Sequence, residues 1–264
     1  MMLAILRVGA NGPLVESVQL FLRGIDMYLG PVDGAFGPKT KAAVQTWQRA
    51  RGIQDDGVIG NVTWGSFMSA GLSMIPPDDP DDDKTGANWP PKPVGLRSLN
   101  ASQRQQIFGD LVTEPNPIPG NPENCRVIRK GSEYRIVEVE LPLLIGVAGF
   151  PKSGKVFFHA KGARQLQSLV QSWHDAGLLD RVLTWGGSLA VRYVRGSNTT
   201  LSPHAWGSSF DINVAWNGLG RQPALVGRQG SVRELVQIAN AQKWFWGGHF
   251  SRLDGMHLEM AEIR

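Results

Sequence analysis

Ser202-Pro203-His204-Ala205-Trp206-Gly207-Ser208-Ser209-Phe210-Asp211-Ile212-Asn213, with Asp254-Gly255-Met256-His257-Leu258-Glu259 further on, is the part of the sequence around which the rest is organised. Together the two stretches supply two histidines, an aspartate seven positions after the first, and a carboxylate three positions before the second. Neutral imidazole and carboxylate are the donors a catalytic zinc prefers, in sites with three protein ligands and a fourth position left for water. The reading is that His204, Asp211 and His257 hold Zn²⁺ and that Asp254 handles protons beside it. Any one of the histidines (His159, His174, His204, His249, His257) taken alone is more simply a structural or surface residue. The setting favours a metal. Trp206, Gly207 and Phe210 make the first stretch apolar, and an unpaired carboxylate at Asp211 would be costly there unless a cation neutralised it.

S-P-H-A-W-G-S-S-F-D-I-N, then W-F-W-G-G at 244–248, then D-G-M-H-L-E resembles the VanY-like zinc peptidases. That group comprises D-Ala-D-Ala carboxypeptidases and phage L-alanyl-D-glutamate endopeptidases. Its pattern S-x-H-x-x-G-x-x-x-D falls on Ser202, His204, Gly207 and Asp211, and its D/E-x-x-H on Asp254 and His257. The resemblance covers about residues 150–264. It implies that His204, Asp211 and His257 are zinc ligands and Asp254 the catalytic acid/base. It also implies an arginine in a strand before the motif, a position that Arg192 fits best and Arg195 next. A cation there would steady a developing oxyanion or a substrate carboxylate. His257 and Glu259 would share a strand face, so Glu259 and the motif's Ser202 read as supports of the ligands, the alternative for Glu259 being the base itself. The aromatic-glycine run, with Trp246 and Gly247, should wall the substrate cleft.

Residues 1–70 carry an internal repeat: Asp33-Gly34-Ala35-Phe36-Gly37-Pro38-Lys39-Thr40 and Asp56-Gly57-Val58-Ile59-Gly60-Asn61-Val62-Thr63 share D-G-x-[apolar]-G-x-x-T. Asp-Gly is turn chemistry, and a helical pattern follows each copy. Pro38 suits a first helical turn and Gly52 a stop. Leu14, Val18, Phe21 and Leu22 mark an earlier helix, and Trp64, Phe67 and Met68 a third. This module resembles the type 1 peptidoglycan-binding domain. Its aromatic residues read as core, and Asp33 and Asp56 as turn formers.

Residues 71–95, with Pro76-Pro77-Asp78-Asp79-Pro80-Asp81-Asp82-Asp83 and Pro90-Pro91-Lys92-Pro93, read as a proline-stiffened, self-repelling linker. The aspartates lack the spacing and closing Glu of a calcium loop. Residues 96–264 are then the catalytic domain, with its core at about 150–264. Gln103–Val112 suggests a helix; 135–141, 143–147 and 189–195 suggest strands; 163 onward and 232–242 suggest helices. Gly149-Phe150-Pro151-Lys152-Ser153-Gly154-Lys155 nearly spells a phosphate-binding loop, but Val156 stands where Mg²⁺ binding needs Ser or Thr. His159 and His174 read as structural, and His249 as exposed. The expected fold is α+β: a three-helix module, a linker, and a zinc peptidase domain with a mainly antiparallel sheet flanked by helices.

At 264 residues and 42% hydrophobic composition the chain can bury a sizeable core in one large or two unequal domains. A net charge of +4 and a pI near 9.4 suit an anionic partner such as cell wall. Basic residues are not interleaved with aromatics, which argues against nucleic acid. The single Cys125 excludes an intrachain disulfide. The apolar patch at Met1–Leu6 is too short for a signal sequence, and no window is apolar enough to span a membrane. The expected picture is a monomer made in the host cytoplasm without a signal peptide and acting on the wall in the periplasm after release. By resemblance it is a peptidoglycan hydrolase of the phage endolysin kind: bacteriolytic, antimicrobial and active in host cell lysis. It would cut stem peptides as an L-alanyl-D-glutamate endopeptidase while the module tethers it to the wall. The alternatives are a D-Ala-D-Ala carboxypeptidase, an injected antibacterial effector with the same chemistry, and a wall-binding protein with a degenerate catalytic domain.

Overall fold

The computed structural model describes residues 3–74 and 88–264. The Pro/Asp-rich centre of the expected linker, 75–87, lies outside the described residues.

The N-terminal module has three helices: α1 (Pro13–Gly24), α2 (Pro38–Ala50) and α3 (Asn61–Ser69). Proline at the first turn of α1 and α2 uses a position whose N–H has no helical partner. Val18, Leu22, Trp64 and Phe67, which the helical spacing marked, fill the core together with Val15 and Trp47, while Leu14 and Phe21 pack against it partly buried. The repeat has a structural cause that its D-G-T signature only hints at. Each copy closes on one buried glutamine. The Gln19 amide nitrogen faces Asp33 Oδ1 (2.9 Å), the Ala35 carbonyl (3.0 Å) and Thr40 Oγ1 (3.1 Å), and its Oε1 accepts from Gly34 N (2.9 Å). Gln48 repeats this with Asp56 (3.0 Å), Val58 (3.0 Å), Thr63 (3.1 Å) and Gly57 N (2.9 Å). The glycine N–H reaches the glutamine because φ is +68° at Gly34 and +71° at Gly57, values that favour glycine.

The second part begins with α4 (Ala101–Phe108), set by a reciprocal Asn100–Gln103 capping box. A hairpin of β1 (Leu111–Pro115) and β2 (Cys125–Lys130) follows, then the antiparallel pair β3 (Ile136–Glu140) and β4 (Lys155–His159). Helix α5 (Ala163–Asp175) buries Leu166, Leu169, Val170 and Trp173. The main sheet consists of β5 (Trp185–Gly187), β6 (Ser209–Ile212), β7 (Trp244–Trp246) and β8 (His257–Met260), in the order β5-β6-β8-β7 and antiparallel throughout. Helix α6 (Arg233–Ala241) enters β7, and Trp173 Nε1 on α5 donates to the Leu235 carbonyl on α6 at 3.1 Å. One face of the sheet is apolar: Phe210 stacks on Trp185 (5.3 Å) and meets Trp244 edge-on (5.2 Å). Burying such side chains contributes on the order of 2–3 kcal/mol each.

Three expectations from the sequence are corrected. The strand predicted at 143–147 is instead a 3-10 turn, Pro142–Leu144, because Pro142 has no N–H for a ladder and starts a turn well. The strand predicted at 189–195 is irregular. Its amides are divided among separate partners (Ala190 to His204, Tyr193 to Glu123, Val194 to Thr200), and its pairing is limited to isolated antiparallel bridges, Arg192 with Asn124 and Tyr193 with Leu201. The helix predicted at 103–112 starts earlier and stops at Phe108, and β1 takes the rest.

The module packs directly on the second part. Ala148, Leu183, Ala215 and Trp216 belong to the same apolar cluster as the module's own core. Met74 N donates to the Ala215 carbonyl at 2.7 Å, and the Asn61 side chain donates to the Gly146 carbonyl.

Candidate metal centre

The second and third donors are brought together by strand register. Asp211 on β6 lies directly opposite His257 on β8. With side chains alternating along each strand, Phe210, Ile212, Leu258 and Met260 turn to the core, while Asp211, His257 and Glu259 share the other face. The first donor comes from the 3-10 turn Pro203–Trp206, capped by Ser202, whose Oγ accepts from His204 N at 3.4 Å. His204 Nε2 stands 3.1 Å from Asp211 Oδ1 and 3.2 Å from His257 Nδ1, and His257 Nδ1 lies 3.0 Å from Asp211 Oδ1. Donors about 2.0–2.2 Å from one tetrahedral centre stand about 3.3–3.6 Å apart, so the triangle is within a few tenths of an ångström of that shape.

The outer hydrogen bonds fix what the triangle presents. His204 Nδ1 faces the Ser188 carbonyl at 3.3 Å, which can only accept, so Nδ1 carries the proton and Nε2 the lone pair. His257 Nε2 faces Glu259 Oε2 at 3.2 Å, which leaves Nδ1 as the inward donor. Two lone pairs and a carboxylate oxygen thus converge on one point, and a divalent cation fits them. Without it a proton has to fill the gap. Burial alone would lower the His257 pKa, but its bonds to Asp211 and Glu259 outweigh burial and push it up to about 10. Burial likewise opposes ionisation of Asp211, yet His204 and His257 hold it well below the ordinary carboxylate range.

Glu259 is buried and kept ionised by Arg104 on α4, whose Nη2 donates to Oε1 at 2.8 Å; the two side chains are 8% and 1% exposed. The series Arg104–Glu259–His257 therefore orients one donor ring from a helix far away in sequence. Arg104 was missed by sequence reasoning, since nothing in Ala101–Phe108 marks it. The only available signal was indirect: a buried Glu259 needs a cation somewhere.

Asp254 lines the same cleft, of about 560 Å³, as the three donors. Its Oδ1 is buried without a hydrogen-bond partner. Burial, reinforced by Asp211 and opposed by His257, pushes its carboxyl up to about 7. A carboxyl with one buried, unpaired oxygen and a pKa near neutrality suits a general base. Its loop is anchored by Asp254 N, which donates to the Gly247 carbonyl at 3.0 Å.

Arg192 and Arg195 both line the cleft. Arg195 is paired with Glu123 at 2.5 Å, while Arg192 donates to the Tyr193 carbonyl at 3.1 Å and lies within the electrostatic reach of Asp211 and Asp254. The structure thus groups His204, Asp211, His257, Asp254, Arg192, Ser202 and Glu259 around one cleft. Trp246 does not join them. Its indole is fully buried and donates to the Gly255 carbonyl at 2.7 Å, because β7 is an edge strand whose side chains the core absorbs. Gly247 is also buried and acts only beneath Asp254. His249, expected at the surface, is half-buried between Phe245 and Trp246 and bonded to the Pro90 carbonyl at 2.9 Å. His159 is wholly buried and bonded to the Phe108 and Glu133 carbonyls, and His174 is exposed beside Asp175. The phosphate-loop look-alike at 149–155 leads into β4 rather than a helix.

Comparison with known proteins finds a family match in each part of the chain. Residues 11–66 match the family model described as a putative peptidoglycan binding domain, and residues 195–260 match that described as D-alanyl-D-alanine carboxypeptidase. A peptidoglycan-binding family segment precedes a D-alanyl-D-alanine carboxypeptidase family segment. The chain is 47% identical over 58 residues to an uncharacterized protein of Kitasatospora aureofaciens, covering 22% of this chain and 49% of that protein. It is 35% identical over 86 residues to a zinc D-Ala-D-Ala carboxypeptidase of Streptomyces albus G, covering 31% of this chain and 29% of that enzyme. The chain therefore spans half or less of the length of these relatives. The crystal structure of the SleB N-terminal domain aligns at 33% identity and a TM-score of 0.25, over 25% of this chain and 92% of that one. The carboxypeptidase-family segment contains all three candidate donors and Asp254, whereas Arg104, Ser188 and Arg192 fall before it.

Proposed function

We propose that this chain is a zinc peptidase of the bacterial cell wall that cuts peptidoglycan stem peptides, acting as an endopeptidase on the L-Ala-D-Glu bond. The observation that carries this reading is the convergence of two imidazole nitrogens and a carboxylate oxygen beside an Asp254 carboxyl whose Oδ1 is buried without a hydrogen-bond partner. His204, Asp211 and His257 hold the metal, and zinc, rather than an oxygen-loving cation, matches a site with two imidazoles. Bound there, zinc supplies Lewis-acid activation of water and of the scissile carbonyl at neutral pH. The chain's own residues do the rest. Ser188 and Glu259 hold the two rings in the donor tautomer. Ionised Asp254 accepts the proton of the attacking water and returns it to the leaving amine. Arg192 offers its charge to the developing negative oxygen or to a stem-peptide carboxylate. The N-terminal module supplies affinity for the polymer, which suits an endopeptidase working on intact wall.

A second reading, removal of terminal D-Ala, is favoured by the description of the matched family and by the name of the Streptomyces relative. Purified sacculi digested with the zinc-loaded chain, followed by mass spectrometry of the muropeptides, separate the two. New D-Glu amino termini are expected, loss of single D-Ala residues supports the second reading, and unchanged muropeptides overturn both.

A further inference from the structure

The cleft that holds the metal donors is not closed by the peptidase part alone. Met68 and Ser69 of α3 lie along it, facing the strip from Gly186 to Ala190 that continues the edge strand β5. The seam is tightest at Gly65: a Cβ there would stand 2.6 Å from Gly149 Cα and 2.8 Å from Gly149 N, which is backbone and cannot yield. The Met74–Ala215 and Asn61–Gly146 hydrogen bonds flank this contact, and the shared apolar cluster lies behind it. A module joined only by a floppy tether needs none of this.

We propose that the N-terminal module is a fixed wall of the catalytic cleft. On this assignment α3 and the 186–190 strip hold an extended stem peptide between them, and Met68 and Ser69 help select it. The proposal rests on the peptidase reading above and adds to it that the module acts on chains too small to be captured by wall binding. Binding of glycan and placement of the scissile bond then become one rigid geometry instead of two loosely linked events.

The test uses the full chain and a soluble stem peptide, for which tethering to the wall is irrelevant. Gly65→Ala favours the α3 helix by about 1 kcal/mol yet drives a methyl into Gly149. Gly24→Ala, where an added Cβ meets nothing within 4 Å, is the control. Ser69→Trp fills the cleft from the module side; the Ser69 hydroxyl donates to the Gly65 carbonyl of its own helix at 2.8 Å. Gly65→Ala should enlarge the molecule in small-angle scattering, keep its binding to sacculi, and lower kcat/KM on the soluble peptide about tenfold or more. Ser69→Trp should raise KM with kcat little changed. Both variants turning over the soluble peptide like wild type would overturn the proposal. Wild type without turnover on any stem peptide would instead strike the peptidase reading. In that case calorimetric binding of the same peptide, weakened by Ser69→Trp or indifferent to it, decides whether α3 lines its site.

Discussion

Asp254 and Arg104 show what single residues contribute and how differently they announce themselves. Asp254 is legible in the sequence because it stands three positions before His257 in a run whose spacing is recognisable. Its proposed role depends on an Oδ1 that is buried without a partner, which no spacing reveals. Asp254→Asn should lower turnover of stem peptide by about 10²–10⁴-fold while leaving zinc content at one ion per chain, read by metal analysis. The acidic limb of the pH–rate profile should follow its ionisation. The carboxyl must lose its proton to act, so activity rises with pH through its pKa. That pKa is about 7 with no cation present, and a bound dication moves it lower. Arg104 lies 155 residues from Glu259, and nothing local marks it. Arg104→Ala strands a buried carboxylate and lets the His257 ring turn, so zinc affinity should fall about 10–100-fold by competition with a chelator. Arg104→Lys should recover part of it.

At the scale of elements, the sequence is most informative where one face of a segment is buried and least where the backbone has no regular partner. The three module helices, β3, α5 and α6 could be placed from periodicity, since each buries a single stripe or face. The segment 189–195 alternates like a strand, yet its pairing is decided by Glu123, Thr200 and His204, contacts that periodicity does not encode. Trp246 misled for a related reason: a Trp-Gly-Gly run reads equally well as a cleft wall or a core plug. The repeat lies between these cases. D-G-x-[apolar]-G-x-x-T shows that two turns are alike, but the buried glutamine that ties each one comes from another helix position. Gln48→Ala leaves the Gly57 N–H and several acceptors unsatisfied, so it should destabilise the module by about 1–3 kcal/mol in denaturant unfolding. Gln19→Ala should do the same, and Gln45→Ala, whose side chain makes one exposed bond, should change little.

For the molecule as a whole, the proposed metal would be linked to the fold. A cation bound only by the folded chain stabilises it by mass action, so chelation should lower the melting temperature in proportion to affinity. The metal-free chain should also depend on pH in a defined direction. His257 has a raised pKa, so its contribution is complete below about 6.5 and is lost as pH rises through about 10. Asp211 is depressed, so its contribution is present above its usual value of 3.8 and is lost on acidification below that. Urea unfolding of chelated protein should therefore show lower stability at pH 10 than at pH 6, and zinc should flatten the difference by replacing the proton. Among the described residues no helix is long and apolar enough to cross a membrane. The Arg104–Glu259 link also bears on how the molecule can be cut. The segment 195–260 contains the three candidate metal donors and looks like a natural unit to excise. Cut at those borders it would carry Glu259 with no counter-charge and His204 with no carbonyl for its Nδ1 proton. On the proposed function, the shortest fragment expected to bind metal by itself reaches back to α4, well before the first candidate donor.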